Sequence, residues 1–259
     1  MRARSRCLLG LCFLLAFDFQ VALAGDLETL RQKAEQGDIN AQCKLGVMYY
    51  NGEGVPQDYR EATYWYRKAA RKGDPGAQYM LGISSTGRQA ARWLRRAAAQ
   101  KLPPAEAVLA NRYEEGLGVR QSYAKAVALY RDAASRGWND ANFNLGVLYQ
   151  QGLGVRRDDD LALTYFEKAT QQGRDDSVFA RGFYFLGDMY GHGRGVNKNL
   201  VLSYAYFDIA ASHAFSPEET RFYTDLRDKL QLAGAQLEEA QRIAAQWKPG
   251  TLIPLKSTN

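Results

Sequence analysis

Few residues of this chain have the types and spacing that carry chemistry. Beyond the N-terminal segment it has two histidines, His192 and His213, in different elements and without metal-ligand spacing. Ser122-Tyr123-Ala124-Lys125 matches the Ser-x-x-Lys pattern of acyl-transferring serine enzymes. The Ser-Asp-Asn and Lys-Thr-Gly elements that accompany that pattern do not occur. Asp158-Asp159-Asp160 is an acidic run, but Arg156 and Arg157 stand directly before it and compete for its carboxylates. A Gly-x-Gly-Val motif recurs, yet no third glycine of a dinucleotide fingerprint and no Lys-Ser/Thr of a P-loop follows it. These residues predict no catalytic set, no metal site and no cofactor.

The elements behind these residues repeat. Gly-x-Gly-Val occurs at Gly52–Val55, Gly116–Val119, Gly152–Val155 and Gly193–Val196. A large pair recurs at Trp65-Tyr66, Trp93-Leu94, Leu129-Tyr130, Tyr165-Phe166 and Tyr206-Phe207. A small pair follows each, from Ala69-Ala70 to Ala210-Ala211. The large pairs are 28, 36, 36 and 41 residues apart, so one 36-residue period with a shortened second and an extended fifth repeat accounts for all of them. Repeats also open alike, as in Ala41-Gln42-Cys43-Lys44-Leu45-Gly46 and Ala77-Gln78-Tyr79-Met80-Leu81-Gly82; the third departs, with Leu109-Ala110 in place of Leu-Gly.

Within a repeat, Ala41, Leu45 and Tyr49 share one face of a helix A, and Ala62, Trp65, Tyr66, Ala69 and Ala70 share one face of a helix B. Glycine inside a helix costs about 1 kcal/mol against alanine, so the recurrent Gly46 predicts close approach by helix B. The first glycine of Gly-x-Gly-Val suits a left-handed helix end and the second a tight return. Ser122 and Asp158 fall in the slot of Asp58, a helix N-cap position, and the acidic run suits a helix start. Repeat two lacks the glycine loop, so residues 83–88 must turn directly and its helix A must be short. The insertion of repeat five, around residues 174–178, is expected to lengthen the turn before it.

The pattern resembles the Sel1-like repeat family, relatives of the tetratricopeptide repeats. Repeat one carries nearly the whole signature, including Asp58, Ala62, Trp65, Tyr66, Lys68, Ala69 and Ala70. The resemblance covers residues 26–250. It implies an all-α fold, a right-handed α-solenoid of about five helix-turn-helix repeats with N- and C-terminal capping helices. The repeats fall at about 37–72, 73–100, 101–136, 137–172 and 173–215. A lone helix at 26–36 closes the N-terminal end. Helices within 217–248, with stripes at Phe222, Leu226, Leu230 and at Leu237, Ala240, Ala244, Trp247, close the other. Residues 251–259 have no periodicity and are expected to form a flexible tail. Some Sel1-like proteins are β-lactamase-like, but those resemble cysteine-rich chains with paired cysteines in each repeat. This chain lacks them, so an enzyme of that kind is disfavoured.

The slot two residues before the repeat leucine holds Cys43, Tyr79, Ala107, Phe143 and Tyr184. It lies about 160° from the core stripe. In tetratricopeptide-like solenoids helix A lines the concave face, so the resemblance makes these residues groove-facing. Neighbouring slots add Val47, Tyr50, Asn111, Glu114, Val147, Gln150, Asp188 and His192. Exposed aromatics there would anchor a partner. The alternative is that Tyr79, Phe143 and Tyr184 pack between adjacent A helices.

The N-terminus reads as a cleaved signal peptide over residues 1–24. Arg2, Arg4 and Arg6 form a basic start, residues 7–17 an apolar run too short to span a bilayer, and Ala22-Leu23-Ala24 a small-x-small cleavage site. Cys12 follows Leu11 directly and so departs from a lipobox. Removal takes away three positive charges and one negative, so the net charge of +6 becomes +4. That excess is spread along the chain, unlike the clustered face of a nucleic-acid binder. Cys43 alone then remains, free or paired between chains. The expectation is a non-enzymatic periplasmic scaffold that binds another protein in its concave groove, with no nucleic-acid partner and no stable membrane insertion after cleavage. The resemblance suggests an immunity protein that neutralises a secreted toxin, such as a type VI secretion phospholipase. An envelope adaptor for a sensor kinase or for exopolysaccharide assembly is the alternative.

Overall fold

The computed structural model describes residues 26–171, 177–248 and 251. The expected leader, most of the repeat-five insertion and nearly all of the expected tail lie outside them. Among the described residues all regular structure is helical. Helix α1 covers 26–35, α2 Ile39–Asn51, α3 Tyr59–Arg71, α4 Pro75–Ser84 and α5 Gly87–Ala99. Then follow α6 Pro103–Glu115, α7 Tyr123–Ser135, α8 Asp140–Gln151, α9 Asp159–Gln171 and α10 Ser177–His192. The last three are α11 Leu200–Ser212, α12 Pro217–Asp228 and α13 Ala235–Gln246. This is a helical repeat solenoid of five A–B pairs, α2–α3 through α10–α11. Packing divides it into two compact bodies, one ending at Leu102 and one beginning at Pro103.

Helix starts are built as their sequence suggests. Asp58 accepts from the amides of Arg60 and Glu61 at 2.8 and 3.2 Å. Asp158 and Asn199 cap α9 and α11 in the same way, at 2.9 and 3.0 Å. Ser122 accepts from Lys125 N at 3.4 Å, so the Ser-x-x-Lys serine is the N-cap of α7. Arg157 does reach the acidic run, donating to Asp159 at 2.8 Å.

The Gly-x-Gly-Val loops use both glycines. Gly52 ends α2 at φ 76° and Gly54 follows at φ 72°, both left-handed. The chain then returns to helix A, where the Asp58 amide donates to the Tyr49 carbonyl at 2.9 Å. The same bracket joins Ser122 to Tyr113, Asp158 to Tyr149 and Asn199 to Tyr190, at 2.8 to 3.0 Å. Repeat two, without the loop, has an A helix of 10 residues against 13 in α2. Only Ser85 and Thr86 separate α4 from α5.

Glycine in helix A marks the place where helix B presses in. A β-carbon built at Gly46 would stand 2.5 Å from Tyr66 Cε1. The corresponding distances are 2.6 Å from Gly82 to Leu94, 2.6 Å from Gly146 to Phe166 and 2.8 Å from Gly187 to Phe207. All four are far inside van der Waals contact, so the helix-propensity cost of glycine is offset by knob-into-gap packing. Repeat three has Ala110 at this position, fully buried.

In the first body, Ala62, Tyr66, Ala69, Ala70, Ala77 and Leu81 form a buried cluster across α3 and α4. Leu27 and Leu30 of α1 pack on Ala34, Ala41, Leu45 and Trp65, closing that end of the stack. The repeat glutamine stitches one helix pair to the helix before it. Gln42 Nε2 donates to Ala34 O at 2.8 Å, and Gln78 Nε2 to Ala70 O at 3.1 Å.

In the second body the same slot holds Glu106, 1% exposed, which accepts from Arg136 at 2.9 Å. Helix α10 runs for 16 residues, so the described end of the insertion, Ser177 and Val178, extends the helix rather than the turn. Helices α12 and α13 both pack against α11. In α12 the buried residue is Tyr223, at 3% exposure, while Phe222 is 48% exposed. Tyr223 thus replaces Phe222 as the buried member of the expected stripe, whose Leu226 and Leu230 are half-buried; both aromatic rings meet Tyr184 of α10. In α13 Ala240 is buried, and Trp247 just beyond the helix packs on Phe179, Phe183 and His213.

Candidate partner-binding groove

Four of the expected groove residues come together. Cys43, Val47 and Tyr50 of α2 and Tyr79 of α4 line one open cavity of about 460 Å³ in the first body. They are adjacent because α2 presents the i, i+4, i+7 face that its core leucine leaves free, and α4 lies alongside with its own slot residue aligned. Val47 is 42% and Tyr50 38% exposed, while Cys43 and Tyr79 are half-buried. The ring of Tyr50 meets that of Tyr59 edge-on at 5.4 Å between centroids, which holds one rim.

Six further lining residues escaped the spacing argument: Asn40, Asn51, Tyr66, Asp74, Gly76 and Met80. Tyr66 reads as a helix-B core residue and is one, at 4% exposure. Its hydroxyl nevertheless reaches the groove, buried and without a hydrogen-bond partner among the described residues. Asp74 is the N-cap of α4, accepting from Ala77 N at 2.6 Å. Its capping role is visible in sequence, but its place beside Cys43 needs the fold. The floor of the groove is desolvated. Burial, then the hydrogen bond to the Asp74 carboxylate, pushes the Cys43 thiol up to about 12. Burial pushes the Tyr66 hydroxyl up to about 12 as well, reinforced by nearby Cys43 and Tyr50. Tyr79 is raised by burial and by Tyr50. The Cys43 thiol and the Tyr66 and Tyr79 phenols are therefore held neutral at neutral pH, beside two amides and the carboxylate side chain of Asp74. The thiol is free, not disulfide-bonded, in this single chain.

The second body places the remaining expected residues differently. Phe143 is 2% exposed, packed on Phe166 at 5.9 Å and Phe185 at 5.6 Å with the Arg181 guanidinium over its ring. It is a core residue rather than a surface anchor, because Phe185 fills the space where a groove would open. Tyr184 is half-buried against Phe207, Phe222 and Tyr223, so α12 covers it. Ala107 is buried. Asn111 is exposed and donates to Glu115, while half-buried Glu114 accepts from the Tyr130 hydroxyl at 3.2 Å. Burial raises the Glu114 carboxyl. Val147 and Gln150 are half-buried. Asp188 pairs with Arg194 of the loop after α10 and meets exposed His192, one turn further along α10, at 3.0 Å. The contact of Asp188 with Arg194 ties the end of α10 to the loop that follows it. Among the described residues, no cluster of three or more His, Cys, Asp or Glu could hold a metal ion, and no helix is long and apolar enough to cross a membrane.

Comparison with known proteins agrees with the repeat arithmetic. The Sel1 repeat pattern matches residues 39–74, 75–102, 103–138, 139–173 and 184–215, well over half of the chain. A Sel1 repeat protein from Oxalobacter formigenes superposes with a TM-score of 0.70 at 25% identity, covering 93% of this chain and 96% of that one. A protective antigen of uropathogenic Escherichia coli gives a TM-score of 0.67 at 31% identity, over 80% of this chain and 49% of its own. A component of an ERAD-associated E3 ubiquitin-protein ligase from Arabidopsis thaliana is 38% identical over 58 residues, which is 22% of this chain and 9% of the plant protein. The chain thus spans about half of the antigen and less than a tenth of the plant relative. The five matched segments coincide with the five helix pairs, and the chain belongs to the Sel1 repeat family, a family of protein-interaction scaffolds.

Proposed function

We propose that this protein is a non-enzymatic scaffold that seats a partner protein in the α2–α4 groove. The observation that carries the reading is the convergence of Cys43, Val47, Tyr50 and Tyr79 on one open, largely apolar cavity. A groove of this size with tyrosine walls and a few fixed polar groups has the make-up of a protein-recognition pocket. Ser122 supports the non-enzymatic part, since its hydroxyl is engaged as a helix cap. The more specific reading is an immunity role in the periplasm, neutralising a secreted toxin. It rests on the leader-like N-terminus and on the Sel1-like repeat family, which includes immunity proteins.

The test is capture of a purified toxin encoded beside the gene by the wild-type chain and by the Tyr50→Ala/Tyr79→Ala double variant. Tight binding by the wild type, at least 10-fold loss in the variant and unchanged helicity are the expected results. Equal capture by both would remove the groove from the function. Cells that lack the gene and still survive neighbours delivering the toxin would remove the immunity role and leave the adaptor reading. Localisation has its own check: fractionation should find a chain starting at Gly25 in the periplasm, and a full-length cytoplasmic chain would overturn it.

A further inference from the structure

We propose that the α2–α4 groove is built for one arginine side chain projecting from the partner protein. This rests on the scaffold reading above and names the chemistry of its anchor. Three features carry it. The first is charge: Asp74 is the single ionisable carboxylate among the lining residues, and no Lys, Arg or His lines the cavity. A carboxylate offers about four acceptor sites, and Asp74 uses two of them, on Ala77 N and the Cys43 thiol. It retains capacity for an incoming donor.

The second feature is Tyr66, which lines the same cavity and whose buried hydroxyl has no hydrogen-bond partner among the described residues. A leucine or phenylalanine anchor would cover the Asp74 carboxylate without offering it a further donor and would leave the Tyr66 hydroxyl unpartnered, which is unfavourable. An acidic anchor would meet Asp74 directly. A donor-rich cation satisfies both groups. The third feature is the walls. Tyr50 and Tyr79 flank the cavity, with Met80 and Val47 beside them. Aromatic faces attract cations and stack on planar ones. Guanidinium is planar, more weakly hydrated than ammonium and carries five donors in a fork, so arginine suits an apolar, tyrosine-walled site better than lysine does. The amides of Asn40 and Asn51 add neutral acceptors at the two ends of the α2 face.

The experiment titrates the full chain with acetyl-Ala-Arg-Ala-amide and follows backbone amide shifts by NMR. Matched peptides carry lysine, citrulline, phenylalanine or glutamate at the central position. Saturable shifts should appear at Cys43, Val47, Asn51 and Tyr79 with the arginine peptide. Citrulline, which keeps the shape and loses the charge, should bind at least 10-fold more weakly. Asp74→Asn keeps a good helix cap, so the fold is retained. It should weaken the arginine peptide at least 5-fold and leave the phenylalanine peptide unchanged. Tyr66→Phe keeps the ring and should weaken arginine more than phenylalanine. Citrulline or phenylalanine binding as tightly as arginine would overturn the arginine assignment while leaving the groove as a docking site. If no peptide shifts these residues and the Tyr50→Ala/Tyr79→Ala variant still captures the partner, the groove reading itself falls.

Discussion

Gly46→Ala tests whether the glycine in helix A exists for Tyr66, and through it for the groove. The substitution adds one methyl group in the middle of α2. Helix propensity alone favours the change by about 1 kcal/mol. Against this, the new β-carbon would lie 2.5 Å from Cε1, 2.6 Å from Cδ1 and 3.0 Å from Cζ of Tyr66, where ordinary contact begins near 3.4 Å. The ring must retreat by about 1 Å. It has little room, since Tyr66 is 4% exposed and packed among Ala62, Ala69, Ala70, Ala77 and Leu81. Overpacking of this kind costs about 1–3 kcal/mol, so the net effect is a loss of up to about 2 kcal/mol. Urea denaturation followed by circular dichroism measures it. The groove adds a second readout, because a displaced Tyr66 carries its hydroxyl with it. Partner or peptide affinity should fall in Gly46→Ala. Gly146→Ala, which meets Phe166 at 2.6 Å in the other body, should lose comparable stability and leave groove affinity unchanged. A Gly46→Ala variant about 1 kcal/mol more stable than wild type would show that propensity rules here and that the close approach is incidental.

Cys43 should be nearly inert to iodoacetamide at pH 8 in the folded chain. Its rise from 9.0 to about 12 lowers the thiolate fraction about 1000-fold, so alkylation at the rate seen in urea would contradict the burial of the thiol beside Asp74. The same groups set an alkaline limit. Cys43 and Tyr66 titrate higher folded than unfolded. Their contribution is complete below their unfolded values and is lost as pH rises towards 12; unfolding midpoints should therefore fall from about pH 9 upward, and a flat profile there would refute it. In the second body, Arg136→Ala leaves the buried Glu106 charge without this partner and should cost about 2–4 kcal/mol. Glu106→Gln, which restores the residue type of Gln42 and Gln78, should recover most of that loss by thermal denaturation. Ser122→Ala removes a long capping bond and should cost no more than about 1 kcal/mol. Neither form should be labelled by a penicillin probe, and labelling of the wild type alone would reinstate serine chemistry.

The fold was legible because its signals are local and repeated. Asp58, Gly52 and Tyr66 each declare a cap, a left-handed turn and a core face, and recurrence fixes them in register. The groove was legible only in part. Cys43, Val47, Tyr50 and Tyr79 share a helical face that angular arithmetic finds. The same arithmetic placed Phe143 and Tyr184 on that face, yet Phe185 and helix α12 cover them. Which neighbour fills a slot depends on packing between elements, and periodicity carries no information about it. Tyr66 shows the converse. Its spacing marks it as core, and only the three-dimensional contact reveals that it also lines the cavity beside α2.

The amide-to-carbonyl bracket that closes each glycine loop, from Asp58 to Tyr49 and its three counterparts, also bears on how such a chain grows. Both ends of the bracket, both glycines and the helix cap lie within one helix pair. A duplicated stretch of one period therefore brings the closure of its own loop, and asks of its neighbours an apolar flank and a carbonyl of the kind that Gln78 finds at Ala70. Gene segments of that length can be added, lost or traded between chains without redesigning the joint. Repeat two, trimmed of its loop and still paired, shows that such editing can remove the loop without parting the two helices.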